Sequence, residues 1–145
     1  MSTNGASPQA AKTAGVLICD DNAALRRLLR AIVDGNPRLR VVGEAADGNE
    51  AIAEALSHKP EVILLDLAMP NRSGLDALPD LRRVVPNAQI IVLSGFARAN
   101  VAEEVFAFGA VTYLQKGVTP DAIVAAIEEA FANSPTGLAT LPSGS

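Results

Sequence analysis

Along the chain, short apolar runs alternate with longer stretches in which apolar residues recur every three or four positions. Val16-Leu17-Ile18-Cys19, Val62-Ile63-Leu64-Leu65 and Ile90-Ile91-Val92-Leu93 are almost purely aliphatic. Runs of this length predict strands buried on both faces, as in a parallel sheet. Two weaker runs, Leu39-Arg40-Val41-Val42 and Val111-Thr112-Tyr113-Leu114-Gln115, carry polar positions and predict partly wet edge strands. Between the runs, Leu25, Leu28, Leu29, Ile32 and Val33 fall at helical spacing, as do Ile123, Ala126, Ile127, Ala130 and Phe131. Ile52, Ala55 and Leu56 mark a second helix and Leu75, Leu78 and Leu81 a third. Val101, Val105 and Phe108 mark a fourth, ending at Gly109. Thr119 and Pro120 read as cap and first residue of the last helix. Pro79 falls inside the third helical pattern, where it removes a backbone donor and blurs the boundaries.

Five strand–helix units in succession imply an α/β protein with right-handed crossovers. The apolar first, third and fourth strands belong in the middle of the sheet, and the second and fifth at its edges. The order that satisfies this is 2-1-3-4-5, a flavodoxin-like (βα)5 three-layer sandwich. In such a sheet a crevice opens between the carboxyl ends of strands 1 and 3, and ligands bind there.

Composition narrows the class. The chain has 145 residues, 49% of them hydrophobic, which suits one domain with a substantial aliphatic core. Residues 15–132 form that domain in this reading, and 1–14 and 133–145 are expected to be flexible tails. A net charge of -4 argues against direct nucleic-acid binding by this domain. A single cysteine excludes an internal disulfide and suits a reducing compartment. No apolar run approaches the ~18–20 residues of a membrane span, and the first 14 residues lack a signal-peptide core. The expectation is a cytoplasmic protein.

The candidate chemistry lies at the strand ends. Asp20 and Asp21 follow the first strand, Asp66 the third, Ser94 the fourth and Lys116 the fifth. A single Asp in such a place is often only a helix cap, and Asp20 or Asp21 could cap the first helix. Convergence of three carboxylates needs more. Two carboxylates ~4 Å apart repel by about 4 kcal/mol at an effective dielectric of about 20. A divalent cation removes that repulsion, and an all-oxygen set without clustered Cys or His points to Mg2+. Lys116 suits a phosphate oxygen, Ser94 is a hydroxyl donor, and Asp66 is the natural phosphoryl-accepting carboxylate.

Cys-Asp-Asp at 19–21, Leu-Asp-Leu-Ala-Met-Pro at 65–70, Ser-Gly at 94–95 and Tyr-Leu-Gln-Lys at 113–116 together resemble a two-component response-regulator receiver domain. The resemblance covers about Gly15 to Ala132. It implies that Asp66 is the phosphoacceptor and that Asp20, Asp21, Asp66 and the backbone carbonyl of Ala68 hold Mg2+. It makes Ser94 and Tyr113 the switch pair and gives Lys116 the phosphate contact. The implied partners are a histidine kinase or histidine phosphotransfer protein and an unidentified downstream protein, with a phosphorylation-dependent homodimer as a further expectation. The only chemistry implied is the domain's own phosphorylation and dephosphorylation, not enzymatic turnover. The signal would leave through the fourth helix, fifth strand and fifth helix, by way of residues such as Val101, Glu104, Tyr113 and Asp121. Three departures stand out: Ser94 where Thr is commoner, Gly117 where Pro often follows the lysine, and Ala68, which offers only its carbonyl. Ala68 and Phe96, flanking the approach of water to Asp66, point to a phosphorylated form of moderate to long life.

Two alternatives remain open. The stretch Asn36-Pro37 through Val41-Val42-Gly43-Glu44-Ala45 resembles receivers that carry a helix-turn-helix output domain. A Mg2+-dependent phosphatase would use Asp-x-Asp, and here the second position is Ala68. The remaining residues read as structural. Cys19 is expected buried and inert, and His58 to complement a helix C-terminus. Arg26, Arg27, Arg30, Arg82 and Arg83 are expected on solvated helix faces, Phe106 and Phe108 in the core, and Phe96 at the mouth of the site.

Overall fold

The computed structural model describes residues 13–138. Five parallel strands, β1 (Ala14–Cys19), β2 (Leu39–Ala45), β3 (Val62–Leu65), β4 (Gln89–Ser94) and β5 (Ala110–Gln115), lie in the order β2-β1-β3-β4-β5. Between and after them come α1 (Ala23–Asp34), α2 (Gly48–His58), α3 (Gly74–Val84), α4 (Arg98–Ala107), α5 (Pro120–Ala132) and the short α6 (Pro135–Leu138). This is the flavodoxin-like sandwich the strand pattern predicts.

The central strands bury both faces because their alternate side chains enter two separate cores. Val16, Ile18, Val62, Leu64, Ile91 and Leu93 pack with Leu29 and Val33 of α1 and Ile123 and Ile127 of α5. Leu17, Cys19, Ile63, Leu65, Ile90 and Val92 pack with Ala51 and Ala55 of α2, Leu78 and Leu81 of α3 and Val105 of α4. Each fully buried Leu or Ile contributes about 1.5–3 kcal/mol of transfer free energy. Strand β2, at the edge, is buried only at its two ends.

Local signals explain the helix starts. The side chains of Asn22, Asp47, Ser73 and Thr119 accept from Leu25, Glu50, Asp76 and Ala122 amides and cap α1, α2, α3 and α5. Helix α3 runs through Pro79, which is exposed, while Ala77, Leu78 and Leu81 are buried on the other side. Burial of that face outweighs the one backbone bond a proline forfeits. Helix α4 ends at Phe108, and Gly109 follows with φ 107°, as the sequence suggests.

Several expectations need correction. Leu28 and Leu56, counted among the apolar stripes, are exposed, as are Phe106 and Phe108, expected in the core. Arg82 is not a solvated residue: its guanidinium is half-buried and hydrogen-bonds the carbonyls of Val85 and Ala88. Residues 133–138, assigned by sequence to the C-terminal tail, are described. Ser134 is buried, donates to the Phe131 carbonyl and accepts from the Gly137 amide. The rest of the expected tails, 1–12 and 139–145, lies outside the described residues.

Candidate functional site

The sheet ladder runs one residue past the strands, and this brings the candidate residues together. The Asp20 amide donates to the Ala45 carbonyl (2.9 Å), Asp66 to Cys19 (2.9 Å) and Lys116 to Ser94 (2.7 Å). Neighbouring β1 and β3 therefore present Asp20 and Asp66 side by side, and β5 delivers Lys116 from across β4. After Asp66 the chain turns sharply into α3, and the Gly74 amide donates to the Leu67 carbonyl (2.9 Å). A Cβ at Gly74 would collide with the carbonyl of Asp66, so the turn requires glycine there.

These residues line a cleft of about 550 Å³ with Asn22, Ala68, Gly95 and Phe96. Asp20 and Asp66 are 2% and 4% exposed, and Asp21 stands in solvent at the rim. Lys116 Nζ lies 2.8 Å from Asp20 Oδ2 and 3.2 Å from Asp66 Oδ2. Burial first, and then the charge of Asp20, push the Asp66 carboxyl above its ordinary value, against the pull of Lys116. For Lys116, burial favours the neutral form, but its hydrogen bond to Asp20 and the charges of Asp66 and Asp20 outweigh it, so its net shift is upward.

One oxygen from each of Asp20, Asp21 and Asp66 can be chosen so that all lie within 4.8 Å of one another. That cluster, buried at two of its members and pushing one carboxyl towards protonation, fits a hard divalent cation. Cys19 belongs to the core under α2 and α3, where burial pushes its thiol pKa up, so it is inert and offers no ligand. Neither Asp20 nor Asp21 caps α1; Asn22 does, and Asp20 Oδ1 instead accepts from the Asn22 amide at 2.9 Å.

Ser94 is fully buried, and its Oγ accepts from the Phe96 amide at 3.2 Å. Tyr113, expected on the exit surface, is buried, and its hydroxyl donates to the Phe96 carbonyl at 2.6 Å. Ser94 and Tyr113 thus grip the same residue from its two backbone ends. The side chain of Phe96 sits at the cleft mouth, half exposed.

The sequence places Arg26 on a solvated helix face, and the structure does not. Its Nη1 donates to the carbonyl of Asp20 at 2.7 Å while Glu44 holds its Nε at 3.0 Å. The partner lies eighteen residues on in another element, so helical periodicity carried no trace of it. Asn71, in the loop after β3, and Asp47, which lies behind that loop and accepts from Asn71, are also absent from the sequence reading. For Asp47 the spacing to Glu50 was a readable signal, because Asp47 accepts from the Glu50 amide while Glu50 accepts from that of Ala46.

A doubly wound parallel sheet with an acidic, lysine-bearing cleft at its switch point defines the class of protein. Within that class, residues 16–128 match the response regulator receiver domain family, and the chain belongs to it. The chain is 33% identical over 114 residues to the chemotaxis protein CheY of Thermotoga maritima, covering 79% of this chain and 94% of that protein. It is 36% identical over 115 residues to the transcriptional regulatory protein YxjL of Bacillus subtilis, covering 79% of this chain but 53% of YxjL, about half its length. The crystal structure of the response regulator domain of Thermotoga maritima CheB superposes with a TM-score of 0.79 at 31% identity, covering 85% of this chain and 99% of that one. Receiver domains of response regulators interact with histidine kinases and bind Mg2+ at an acidic pocket. Among the described residues no helix is long and apolar enough to cross a membrane.

Proposed function

We propose that this receiver accepts a phosphoryl group on Asp66 from a histidine kinase or histidine phosphotransfer protein and signals by releasing α4. The observation that carries the reading is a buried carboxylate, flanked by Asp20 and Lys116, at the floor of an open cleft. An Asp66 oxygen forms a bond to phosphorus as the phosphorus–nitrogen bond of the donor phosphohistidine breaks. The electron pair leaves with the imidazole nitrogen, which takes a proton from solvent. Asp20, Asp21 and Asp66 with the Ala68 carbonyl would hold Mg2+, which would supply positive charge to the phosphoryl oxygens. Lys116 turns from Asp66 to the new phosphoryl group, to which it is a mobile point charge.

Ser94 can then donate its hydroxyl to a phosphoryl oxygen, and moving Oγ towards that oxygen draws it away from the Phe96 amide, from which it accepts. Drawing its hydroxyl to the phosphoryl group loosens Phe96, and with it the bond from Tyr113. The signal leaves through α4, β5 and α5, where Val101 is half-buried and Glu104 and Asp121 are exposed. A downstream protein or a second copy of the chain reads the signal there. No turnover of an external substrate is implied, since Ala68 supplies no second carboxylate. The apolar ring of Phe96 at the cleft mouth favours slow water attack on the phosphorylated form.

Asp66→Asn tests this reading. The variant should fold and take no label from acetyl phosphate with Mg2+, whereas the wild type is labelled. A folded Asp66→Asn protein that still labels refutes the assignment.

A second reading, favoured by the 36% identity to YxjL, makes this the receiver portion of a transcription regulator. An antibody against the domain, used on extracts of its source, distinguishes a product near 15 kDa from a longer one.

A further inference from the structure

The loop between β3 and α3 carries Ala68, and its far side is tied to a different part of the chain. Asn71 is left-handed (φ 64°), a conformation that asparagine tolerates better than most residues. Its Nδ2 donates to Asp47 Oδ2 at 3.1 Å. The other oxygen of Asp47 accepts from the Glu50 amide at 2.8 Å and caps α2. Asp47 is itself buried. Next to this pair, the Gly48 amide donates to the Arg72 carbonyl at 2.7 Å. A Cβ at Gly48 would stand 2.9 Å from the carbonyls of both Arg72 and Ser73, so the two segments touch backbone to backbone. Arg72 reaches back to Asn49 Oδ1 at 3.4 Å and forward to Asp76 and Asp80 at 2.7 and 2.5 Å.

The loop is therefore pinned at its base, where Gly74 meets Leu67, and at its tip, where Asn71 and Arg72 meet the start of α2. Ala68 lies between the two pins. Its amide is 3.4 Å from Asp66 Oδ1, so a shift of the loop changes what surrounds the Asp66 carboxylate. Neither Asp47 nor Asn71 lines the cleft.

We propose that Asp47 and Asn71 form a clasp that positions the Ala68 segment over Asp66 and so sets the cation affinity and phosphorylation rate of the site. Both are positioning residues; neither touches the reacting atoms. The inference rests on Asp66 being the Mg2+-dependent phosphoacceptor.

The test separates capping from clasping. Asp47→Ser keeps an oxygen for the Glu50 amide but cannot reach Asn71. Asn71→Gly removes the amide and keeps the left-handed backbone. Mg2+ affinity, followed by amide shifts in titration, should weaken by about tenfold in each, as for other residues that orient a metal site from behind. Labelling by acetyl phosphate should slow in parallel while the melting transition stays cooperative. The exchanged pair, Asp47→Asn with Asn71→Asp, rebuilds the bond in the reverse sense and should recover both quantities. Should Asp47→Ser fail to fold, Asn71→Gly, which leaves the α2 cap intact, reads the same quantities. Wild-type Mg2+ affinity and labelling in Asn71→Gly overturn the clasp, as does a loss that the exchanged pair does not restore. A wild type that neither binds Mg2+ nor labels overturns the reading of Asp66 instead.

Discussion

Helices α3 and α4 are chain neighbours on the same face of the sheet, and they are held very differently. Helix α3 starts from a Ser73 cap, buries Ala77, Leu78 and Leu81, and is laced by Arg72 to Asp76 and Asp80. Helix α4 starts at Ala97 with no side-chain cap and buries Val105 alone. Phe106 and Phe108, at its end, are 36% and 40% exposed. Arg98 lies 5.2 Å over the Phe106 ring of the same helix and reaches β5 by donating to the Tyr113 carbonyl at 3.4 Å. Few buried contacts and a missing cap mean a low free energy of local opening. The loop after Asp66 thus leads into a firmly held helix, and the segment after Ser94 into a loosely held one. On the proposed reading a phosphoryl group at Asp66 would move the second more readily, because a ligand shifts an equilibrium by no more than its differential contacts and the looser helix needs less.

The largest expected contrast is in the core. Leu78→Ala should cost about 2–5 kcal/mol of global stability in urea denaturation and lower hydrogen-exchange protection throughout β1, β3 and β4. Val105→Ala removes two methyl-sized groups at about 0.8 kcal/mol each, and its loss of protection should be confined to α4 and β5. Equal and global losses from the two substitutions would show that α4 belongs to the same cooperative unit as α3.

Capping offers a smaller and reciprocal contrast. Ser73→Ala should lower global stability by about 1 kcal/mol, whereas Ala97→Ser should stabilise α4 by a similar amount. Exchange of the α4 amides should then slow several-fold, with β1–β3 unchanged. If the new serine also reduces the α4 response to beryllofluoride, the missing cap is part of the switch; an undiminished response removes it from the mechanism.

What was legible in the sequence follows from what the chain settles locally. Strands β1, β3 and β4 were readable because burial on both faces demands an unbroken aliphatic run, and that demand fixes the strand order as well. Asp20, Asp66 and Lys116 were readable because each stands one residue past a strand. The Thr119 cap and the Gly109 turn are local chemistry of the same kind. Arg26, Arg82 and the bond from Asn71 to Asp47 were not, since neither an arginine on a helix nor an asparagine in a loop shows which distant group receives it; the cap formed by Asp47 was readable from its spacing to Glu50. Phe106 and Phe108 misled because an aromatic side chain at the end of a short helix reports hydrophobicity without reporting which element, if any, will cover it.

The smallest effect concerns charge on the other side of the cleft. Glu44 receives Arg30 Nε at 2.7 Å and Arg26 Nε at 3.0 Å, and Arg26 in turn holds the Asp20 carbonyl. The hydrogen bond from Arg30, opposed by partial burial and joined by Arg26, keeps the Glu44 carboxyl below its ordinary value of 4.5. A depressed carboxyl means that the unfolded chain binds the proton more readily. Its contribution is therefore present above pH 4.5 and is lost as pH falls through the depressed value. Glu44→Gln should cost less than about 1 kcal/mol at pH 7, because the group is partly exposed and screened. The gap from wild type should narrow as pH falls below 4.5 and shrink in high salt. Arg98 is the matching probe on α4. Among the described contacts it meets a ring and a carbonyl, neither of which titrates in that range, so the deficit of Arg98→Gln should not vary with pH. Urea midpoints of the two variants from pH 7 to pH 3 make the comparison. A Glu44→Gln deficit that persists unchanged at pH 3 would mean that β2 and α1 are joined by packing instead of charge, and the anchored side of the cleft would then lose its electrostatic distinction from α4.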